Sequence, residues 1–319
     1  MATGIGKSPW RRIAITVSAM LVVLLLAASF RFLQSQGLFA SVPEYTPAAC
    51  RAVSGIGAVA DIAVDRTGNV YLAGSDGIYV YDGGKAVRLP GTPKNFHPAT
   101  LALGDDGAID VLFRQDGVWE MSVFGVSKAR DVKELGRLSA DTLSDPAAVV
   151  TLSAGRFYLV NKHASHTAFG RWLDDTFLIP RANVRYFDGM KFVTVAERLN
   201  SPAGMALSPD GHHLYVAQEL PRSLASFSRN EFVGGLDHAE LYSLPGAPRK
   251  ITVAPDGSLI VAAWPRVGAG AVYRVRVEGG VPVAADLLYA SKSEEITAAA
   301  EAGGHLLIGS QKRLIDCRL

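Results

Sequence analysis

Short runs in which hydrophobic and polar residues alternate recur along most of the chain. Each copy has an alternating run rich in β-branched residues, a turn that contains Gly, and a second alternating run. Six copies are present, and successive copies start 39 to 56 residues apart, at Asp61, Thr100, Ala148, Gly204, Ile251 and Ile296. One propeller blade of four short strands needs roughly 40 to 50 residues, so the pattern predicts an all-β fold, a six-bladed β-propeller. Two β-sandwiches would also contain many short strands, but they would not repeat one hairpin pattern six times.

The N-terminal segment has a different pattern, because residues 13–30 contain no charged side chain and follow a basic stretch. About 18 to 20 apolar residues can cross a bilayer as a helix, which predicts one transmembrane anchor. A cleaved signal peptide is the alternative, but this run is longer than a usual signal core and is followed by Arg31 and Phe32 rather than a small-residue cleavage site. The basic flank places the N-terminus in the cytoplasm and the remainder outside it, in a periplasm, a lumen or the extracellular space.

These patterns divide the chain into four parts: a cytoplasmic tail (1–12), a transmembrane anchor (13–30), a linker (31–49) and the propeller (50–319). The full chain has 319 residues, of which 49% are hydrophobic, so a large core can form. The net charge is only +2 and the charges are interspersed, which gives no support to a nucleic-acid partner.

The chain has two cysteines, Cys50 before the first copy of the repeat and Cys317 after the last. An exported domain lies in a compartment where disulfides persist, and a ring of blades must be fastened where its first and last strands meet. We therefore expect a disulfide between them, with two unrelated thiols as the alternative.

Four segments resemble the paraoxonase/arylesterase family, which lies in a wider group of six-bladed propellers with gluconolactonase-type and strictosidine-synthase-like proteins. They are "CRAVSGIGAVADIAV", "LSDPAAVVTLSAGRFYLVNKHASH", "SPAGMALSPDGHHLYVAQEL" and "GGHLLIGSQKRLIDCRL", and the resemblance covers most of residues 50–319. The apolar N-terminal segment is also similar to the retained leader of that family. The resemblance implies a calcium-dependent ester and lactone hydrolase with a small-molecule substrate. Its tunnel would hold a deep structural calcium and a catalytic calcium that polarises the scissile carbonyl at the mouth.

The residues that match the ligands of the structural calcium are suitable oxygen donors. By resemblance, its carboxylates correspond to Asp61 and Asp145, and its backbone carbonyl to that of Ala99. Calcium is a hard cation that binds six to eight oxygen atoms, so this set predicts that the structural calcium is retained.

The positions that match the ligands of the catalytic calcium have been replaced. The family's Glu, two Asn and Asp-Asn pair correspond here to Ala60, Ser144, Ala203, Arg249 and Lys250. Two unit charges 4 Å apart interact by roughly 4 kcal/mol at an effective dielectric of about 20, and a divalent ion would feel about twice that repulsion from each cation. We therefore expect no catalytic calcium, which puts calcium-dependent hydrolysis in doubt.

Three further residues are candidates for the mouth. His97 matches a family histidine proposed for proton transfer, a role that the pKa of histidine suits, although a lone loop histidine is more often structural. Glu294 and Glu295 precede the sixth inner strand, so either could balance Arg249 or Lys250. In the alternative, the two cations form a pocket for a carboxylate or phosphate ligand.

Three functions follow from these observations. The resemblance implies an ester or lactone hydrolase by descent, with its calcium-dependent hydrolysis in doubt; in the alternatives, the protein binds a small anionic molecule without turnover or is a platform for protein interaction. A calcium-dependent esterase assay separates the first from the others.

Overall fold

The alternating runs form strands, and almost every strand pairs with the next one along the chain. The computed structural model describes residues 9–35, 37–38, 40–47, 49–127, 129–138, 143, 145–152, 155–165 and 167–319. Within these residues, 24 strands form six four-stranded antiparallel sheets, each of which is one blade. The predicted six-bladed propeller is confirmed, and each of the six sequence repeats contains the inner strand of one blade.

The strands are numbered along the chain. Blade one contains β2 (Val59–Val64), β3 (Val70–Gly74), β4 (Gly77–Asp82) and β5 (Lys85–Arg88). Blade two contains β6 (Pro98–Leu103), β7 (Ile109–Gln115), β8 (Val118–Val126) and β9 (Val132–Leu138). Blade three contains β10 (Pro146–Thr151), β11 (Phe157–Asn161), β12 (Ala182–Phe187) and β13 (Phe192–Leu199).

The second half of the ring follows the same order. Blade four contains β14 (Pro202–Leu207), β15 (His213–Gln218), β16 (Ser223–Arg229) and β17 (Leu236–Ser243). Blade five contains β18 (Ala247–Val253), β19 (Leu259–Trp264), β20 (Gly270–Glu278) and β21 (Val281–Ser291). Blade six contains β22 (Ile296–Ala302), β23 (His305–Ser310), β24 (Leu314–Arg318) and β1 (Cys50–Ala52).

The ring closes in blade six, where the first strand of the chain pairs with the last. Strand β1 runs antiparallel to β24, and Cys50 lies opposite Cys317 in the ladder. The two cysteines form the expected disulfide. Beside it, the buried carboxylate of Asp316 accepts hydrogen bonds from Arg51 at 3.0 Å and from Tyr81 at 2.8 Å, which joins blade six to blade one.

Hydrophobic clusters fill the space between neighbouring blades. Val160 of blade three and Val216 of blade four, both fully buried, belong to one such cluster, and Val261 of blade five and Leu224 of blade four belong to the next. Burial of a side chain of this size stabilises the fold by about 1.5 to 3 kcal/mol. The core is therefore a ring of interfaces around the tunnel, which holds the inner strands in place.

Two helices lie outside this ring in the described part of the chain. Helix α1 (Pro9–Ser35) is longer than the apolar run and continues into the predicted linker. Its stretch Arg12–Gln34 has a mean hydropathy of 2.6 and is long and apolar enough to cross a membrane. The N-terminal helix could therefore anchor the propeller to a membrane.

Helix α2 (Ala168–Phe177) was not predicted from the repeat. It lies between β11 and β12, and the hydroxyl of Thr167 caps its N-terminus by accepting a hydrogen bond from the Gly170 amide at 3.1 Å. This insertion explains why the third repeat is the longest.

Candidate functional site

Every inner strand has a β-bulge close to its start, and the six bulges form a ring. In each strand the pairing register shifts across one residue. The bulged residues are Ala60, Ala99, Ala147, Ala203, Arg249 and Thr297. A bulge leaves one residue out of the ladder and turns it out of the plane of the sheet. All six bulged residues line one cavity of about 320 Å³ at the end of the tunnel where the inner strands begin, the mouth.

Most of the residues singled out by resemblance meet in this cavity. Its walls include Ala60, Ala99, Asp145, Ala203, Arg249 and Lys250. The prediction that these positions from five blades share one site is thus consistent with the fold. Their roles toward a metal ion are not tested by this arrangement and stay predictions.

Five predicted residues are not among the described walls of this cavity: Asp61, His97, Ser144, Glu294 and Glu295. Ser144 lies outside the described residues. His97 is exposed, does not line the cavity, and its Nδ1 forms a short hydrogen bond with the backbone carbonyl of Ser75. The proposed proton-transfer role of His97 therefore stays a prediction without support from its position.

Lys250 points across the tunnel and binds oxygen atoms from three other blades. Its Nζ lies 3.2 Å from Asp61 Oδ2, 2.9 Å from Thr100 Oγ1 and 3.2 Å from the carbonyl oxygen of Ala147. The same carboxylate accepts the hydroxyl of Thr100 and the backbone amides of Ile62 and Leu101. Lys250 and Asp61 thus form a nearly buried ion pair at the tunnel axis, and hydrogen bonds to Thr100 and Ala147 hold the ammonium beside it.

Small residues occupy the positions that match Lys250 in three other inner strands. The residues that follow the other bulges at the same level include Ala148, Gly204 and Ala298. A Cβ at Gly204 would lie 2.5 Å from the carbonyl oxygen of Arg249 and 2.9 Å from the Cα of Lys250. Strands β14 and β18 can therefore approach closely only because position 204 is glycine.

Arg249 and Lys162 share a single carboxylate. Glu219, which follows β15, accepts Lys162 Nζ at 2.6 Å and forms a short contact with the guanidinium of Arg249. The guanidinium also stacks on the ring of Trp264, with 4.1 Å from Cζ to the ring centroid. Burial alone would raise the pKa of Glu219, but Lys162 and Arg249 lower it below its usual value.

His163 joins helix α2 to the edge of the mouth. Its Nδ1 lies 2.7 Å from Asp145 Oδ2 and its Nε2 lies 3.0 Å from Asp175 Oδ1. Burial would lower the pKa of His163, but the hydrogen bonds to the two carboxylates raise it to about 9. At neutral pH this histidine is therefore an imidazolium held between two aspartates.

The expected partners of the two cations must be corrected. The carboxylate of Glu294 is buried and binds Arg313 Nη2 at 2.7 Å and Ser310 Oγ at 2.7 Å, both in its own blade. Glu295 accepts the backbone amide of Gly268 at 2.9 Å. Neither reaches the tunnel cations, because the turn before β22 directs both side chains toward neighbouring loops instead of the axis.

The side chains at the axis do not fit a calcium ion as they stand. A calcium ion needs oxygen ligands at 2.3–2.6 Å, whereas one oxygen of Asp61 is in contact with an ammonium group. Asp145, the second expected carboxylate, is hydrogen-bonded to His163 at 2.7 Å. Among the residues that the structure describes, no group of three or more His, Cys, Asp or Glu side chains could hold a metal ion. The predicted structural calcium stays an untested expectation.

Sequence reasoning missed the partners that organise the mouth. Glu219 and Asp175 belong to no repeat, so only the tertiary structure relates them to Arg249 and His163. A usable signal did exist for the bulges: proline precedes the bulged residue in four inner strands, within "HPAT", "DPAA", "SPAG" and "APRK". Proline cannot donate to a strand ladder and is common beside bulges.

The fold and the site together define a class: a six-bladed propeller that is closed by its first and last strands and has a polar cavity at the mouth of its tunnel. The model of the arylesterase family matches residues 111–281, which is more than half of the chain. The protein belongs to the arylesterase family. It is accordingly an ester or lactone hydrolase-like propeller.

Solved structures with the same architecture include three enzymes. A gluconolactonase from Xanthomonas campestris is 16% identical, with a TM-score of 0.60, and the match covers 88% of this chain and 95% of that one. A luciferin-regenerating enzyme is 12% identical, with a TM-score of 0.57 and coverage of 86% and 96%. An aldose sugar dehydrogenase from Streptomyces coelicolor, solved with PQQ, is 12% identical, with a TM-score of 0.56 and coverage of 87% and 99%. At these identities the similarity shows the fold alone, and no curated protein matches the sequence.

Proposed function

We propose that this protein binds a small organic carboxylate at the mouth of its tunnel and does not hydrolyse esters by a calcium-dependent route. A carboxylate is a product of ester or lactone hydrolysis, so the proposed ligand belongs to the same chemical class as the products of such a reaction. The observation that carries the proposal is the sharing of one carboxylate, Glu219, by two cations, Lys162 and Arg249.

The charges of the Glu219 cluster do not cancel among themselves. Lys162 and Arg249 share the single negative charge of Glu219. Asp145, a carboxylate in the cavity wall, is bonded to His163. The side chains of Lys162 and Arg249 retain 29% and 28% exposure, whereas the Glu219 carboxylate retains 13%, so the cations are the accessible partners. An anion can approach both cations from the cavity, and the stacking on Trp264 holds the guanidinium in position.

The rest of the cavity suits a small, partly apolar molecule. Its walls include the ring of Trp119 and the methyl groups of Ala60, Ala99 and Ala203. A volume of about 320 Å³ is at the lower end of the range for ligand pockets. Apolar walls with a few polar groups that fix the orientation are typical of small-molecule sites.

Binding of carboxylates provides the first test. We would titrate the full chain in detergent micelles with benzoate and with 4-hydroxybutyrate, the open form of a simple lactone, and measure binding by calorimetry. A hydrogen bond to a charged group contributes about 1.5 to 3 kcal/mol, so Arg249→Met and Lys162→Met should each weaken binding by roughly tenfold or more. Lys312→Met, which removes an exposed lysine that does not line the cavity, is the matched control and should bind like the wild type.

Hydrolysis of aryl esters and lactones provides the second test. Phenyl acetate and γ-butyrolactone should show no turnover that calcium stimulates or a chelator abolishes. Calcium-dependent turnover by the wild type would refute the proposal. If no carboxylate binds and a protein co-purifies through the propeller, the mouth is not a small-molecule site and the protein-interaction alternative is favoured.

A further inference from the structure

The ammonium group of Lys250 has the bonding pattern of a bound cation. It has three N–H donors, and three acceptors surround it: a carboxylate oxygen of Asp61, the hydroxyl of Thr100 and the carbonyl of Ala147. Its side chain is 14% exposed and that of Asp61 is 7% exposed. Two of its donors are thus hydrogen-bonded, and the ammonium is also paired with a carboxylate within a nearly buried site.

The three acceptors come from three different blades. Asp61 lies on β2, Thr100 on β6 and Ala147 on β10, and Lys250 extends from β18 on the far side of the tunnel. One side chain therefore links blades one, two, three and five at the tunnel axis.

We propose that Lys250 is a tethered replacement for a divalent metal ion at the centre of the tunnel, so that this propeller is held together without metal. The oxygen atoms that bind the ammonium include a carboxylate and a backbone carbonyl, which are donor types that calcium binds in proteins. A lysine amine supplies the positive charge that these oxygens require, and the backbone fixes it in place.

A divalent ion and this ammonium cannot occupy the site together. An ion bound to Asp61 would lie next to the Lys250 nitrogen, and the like charges would repel each other strongly at so short a distance. Removal of the amine would open a space lined by the same oxygen atoms. The replacement Lys250→Asn would add a neutral oxygen ligand there. Calcium should therefore stabilise the variant, whereas it should not stabilise the wild type.

The test compares thermal stability and metal content in the full chain in detergent micelles. For the wild type we expect less than 0.1 calcium ion per chain by elemental analysis, and a melting temperature that neither EDTA nor 5 mM calcium chloride changes by more than about 1 °C. Breaking a buried ion pair is strongly destabilising, so Lys250→Asn in EDTA should melt about 8 °C lower or more. Calcium chloride should restore at least half of that loss.

Matched variants control for unspecific effects. Lys312→Asn removes a lysine from an exposed loop and should show neither the loss nor the response to calcium. In Lys250→Asn combined with Asp61→Asn, the calcium response should disappear because the carboxylate is gone.

Several outcomes would overturn the inference. For the wild type, these outcomes are a stoichiometric calcium content or a melting temperature that EDTA lowers. For Lys250→Asn, they are a melting temperature equal to that of the wild type, or a folded variant that calcium does not stabilise. The wild-type measurements decide the question even if the variant does not fold. Because stability and metal content are the readouts, the result does not depend on whether the mouth binds a carboxylate.

Discussion

Two aspartates in this propeller have similar neighbours and different electrostatic partners. Asp61 on β2 and Asp110 on β7 are both buried, with 5% exposure each. Each accepts a hydrogen bond from a threonine hydroxyl of the next blade, Asp61 from Thr100 and Asp110 from Thr151 at 2.6 Å. Both residues therefore lie at a junction between blades.

The difference lies in the cation. Lys250 reaches Asp61 across the tunnel, whereas Asp110 forms no ion pair among the described residues. Burial raises the pKa of Asp110 to about 6, and the neighbouring Asp106 also raises it, against the opposing effect of Thr151. A buried carboxylate between blades can thus be neutralised by a lysine ammonium or by a proton. Only the lysine links distant blades across the tunnel axis.

The largest expected effect is the loss of the tethered cation. The variant Lys250→Met should lower the free energy of unfolding by about 3 to 5 kcal/mol, because it leaves an unpaired buried carboxylate. Urea unfolding monitored by tryptophan fluorescence would measure this. If Asp61→Asn is added, the loss should become smaller, because the remaining group is neutral. A Lys250→Met variant within 1 kcal/mol of the wild type would show that the pair contributes no net stability.

The variant Asp110→Asn should have an effect that depends on pH. The pKa of Asp110 is raised from 3.8 to about 6 in the folded state, so its contribution is fully present below pH 3.8 and is lost as the pH rises through 6. Relative to the neutral Asn, the wild type should therefore lose up to about 3 kcal/mol of stability between pH 4 and pH 8.

The measurement compares the melting temperatures of the wild type and Asp110→Asn across this pH range. The contributions of the other titrating groups cancel in the difference between the two proteins. A difference that stays constant with pH would mean that Asp110 has an ordinary pKa and that the contrast with Asp61 is wrong.

The smallest expected effects come from the two hydroxyl groups. Thr100→Val and Thr151→Val each remove one hydrogen bond to a buried aspartate, at a cost of about 1 to 2 kcal/mol. Thr100→Val should cost more, because Thr100 also accepts a hydrogen bond from Lys250 and its loss leaves the ammonium one acceptor short. Thermal unfolding of the two variants side by side measures this, and equal losses would indicate that the contact with Lys250 adds nothing.

Much of the fold was readable because each blade obeys a local rule. Alternation with period two makes a strand half-buried, and a turn with glycine makes the hairpin, so the six inner strands could be located without knowledge of their neighbours. The disulfide was predictable for a topological reason, since a ring must close where its ends meet. Helix α2 was not predicted, because its ten residues replace a strand connection in one blade only.

The sequence predicted where the candidate site lies, but not which charged side chains pair with each other there. The positions before and after the bulges are set by the repeat, which is why Ala60, Ala203 and Arg249 could be assigned to one mouth. The assignment of Glu294 as a partner failed because spacing along a repeat gives the ring position of a residue but not the direction of its side chain. The carboxylate of Glu294 instead binds Arg313 in its own blade.

The sequence by itself determined the number of blades, the apolar N-terminal helix, the closing disulfide and the presence of two adjacent cations, Arg249 and Lys250, at the start of the fifth inner strand. Only the tertiary structure decided where those cations point: Lys250 to Asp61 across the tunnel, and Arg249 to Glu219 at the rim. The physical reason is that strand patterning depends on neighbours a few residues apart, whereas an ion pair depends on which long side chain has room to reach. At position 250 a lysine is long enough to cross the tunnel to Asp61, whereas the matching positions of three other blades hold Ala148, Gly204 and Ala298.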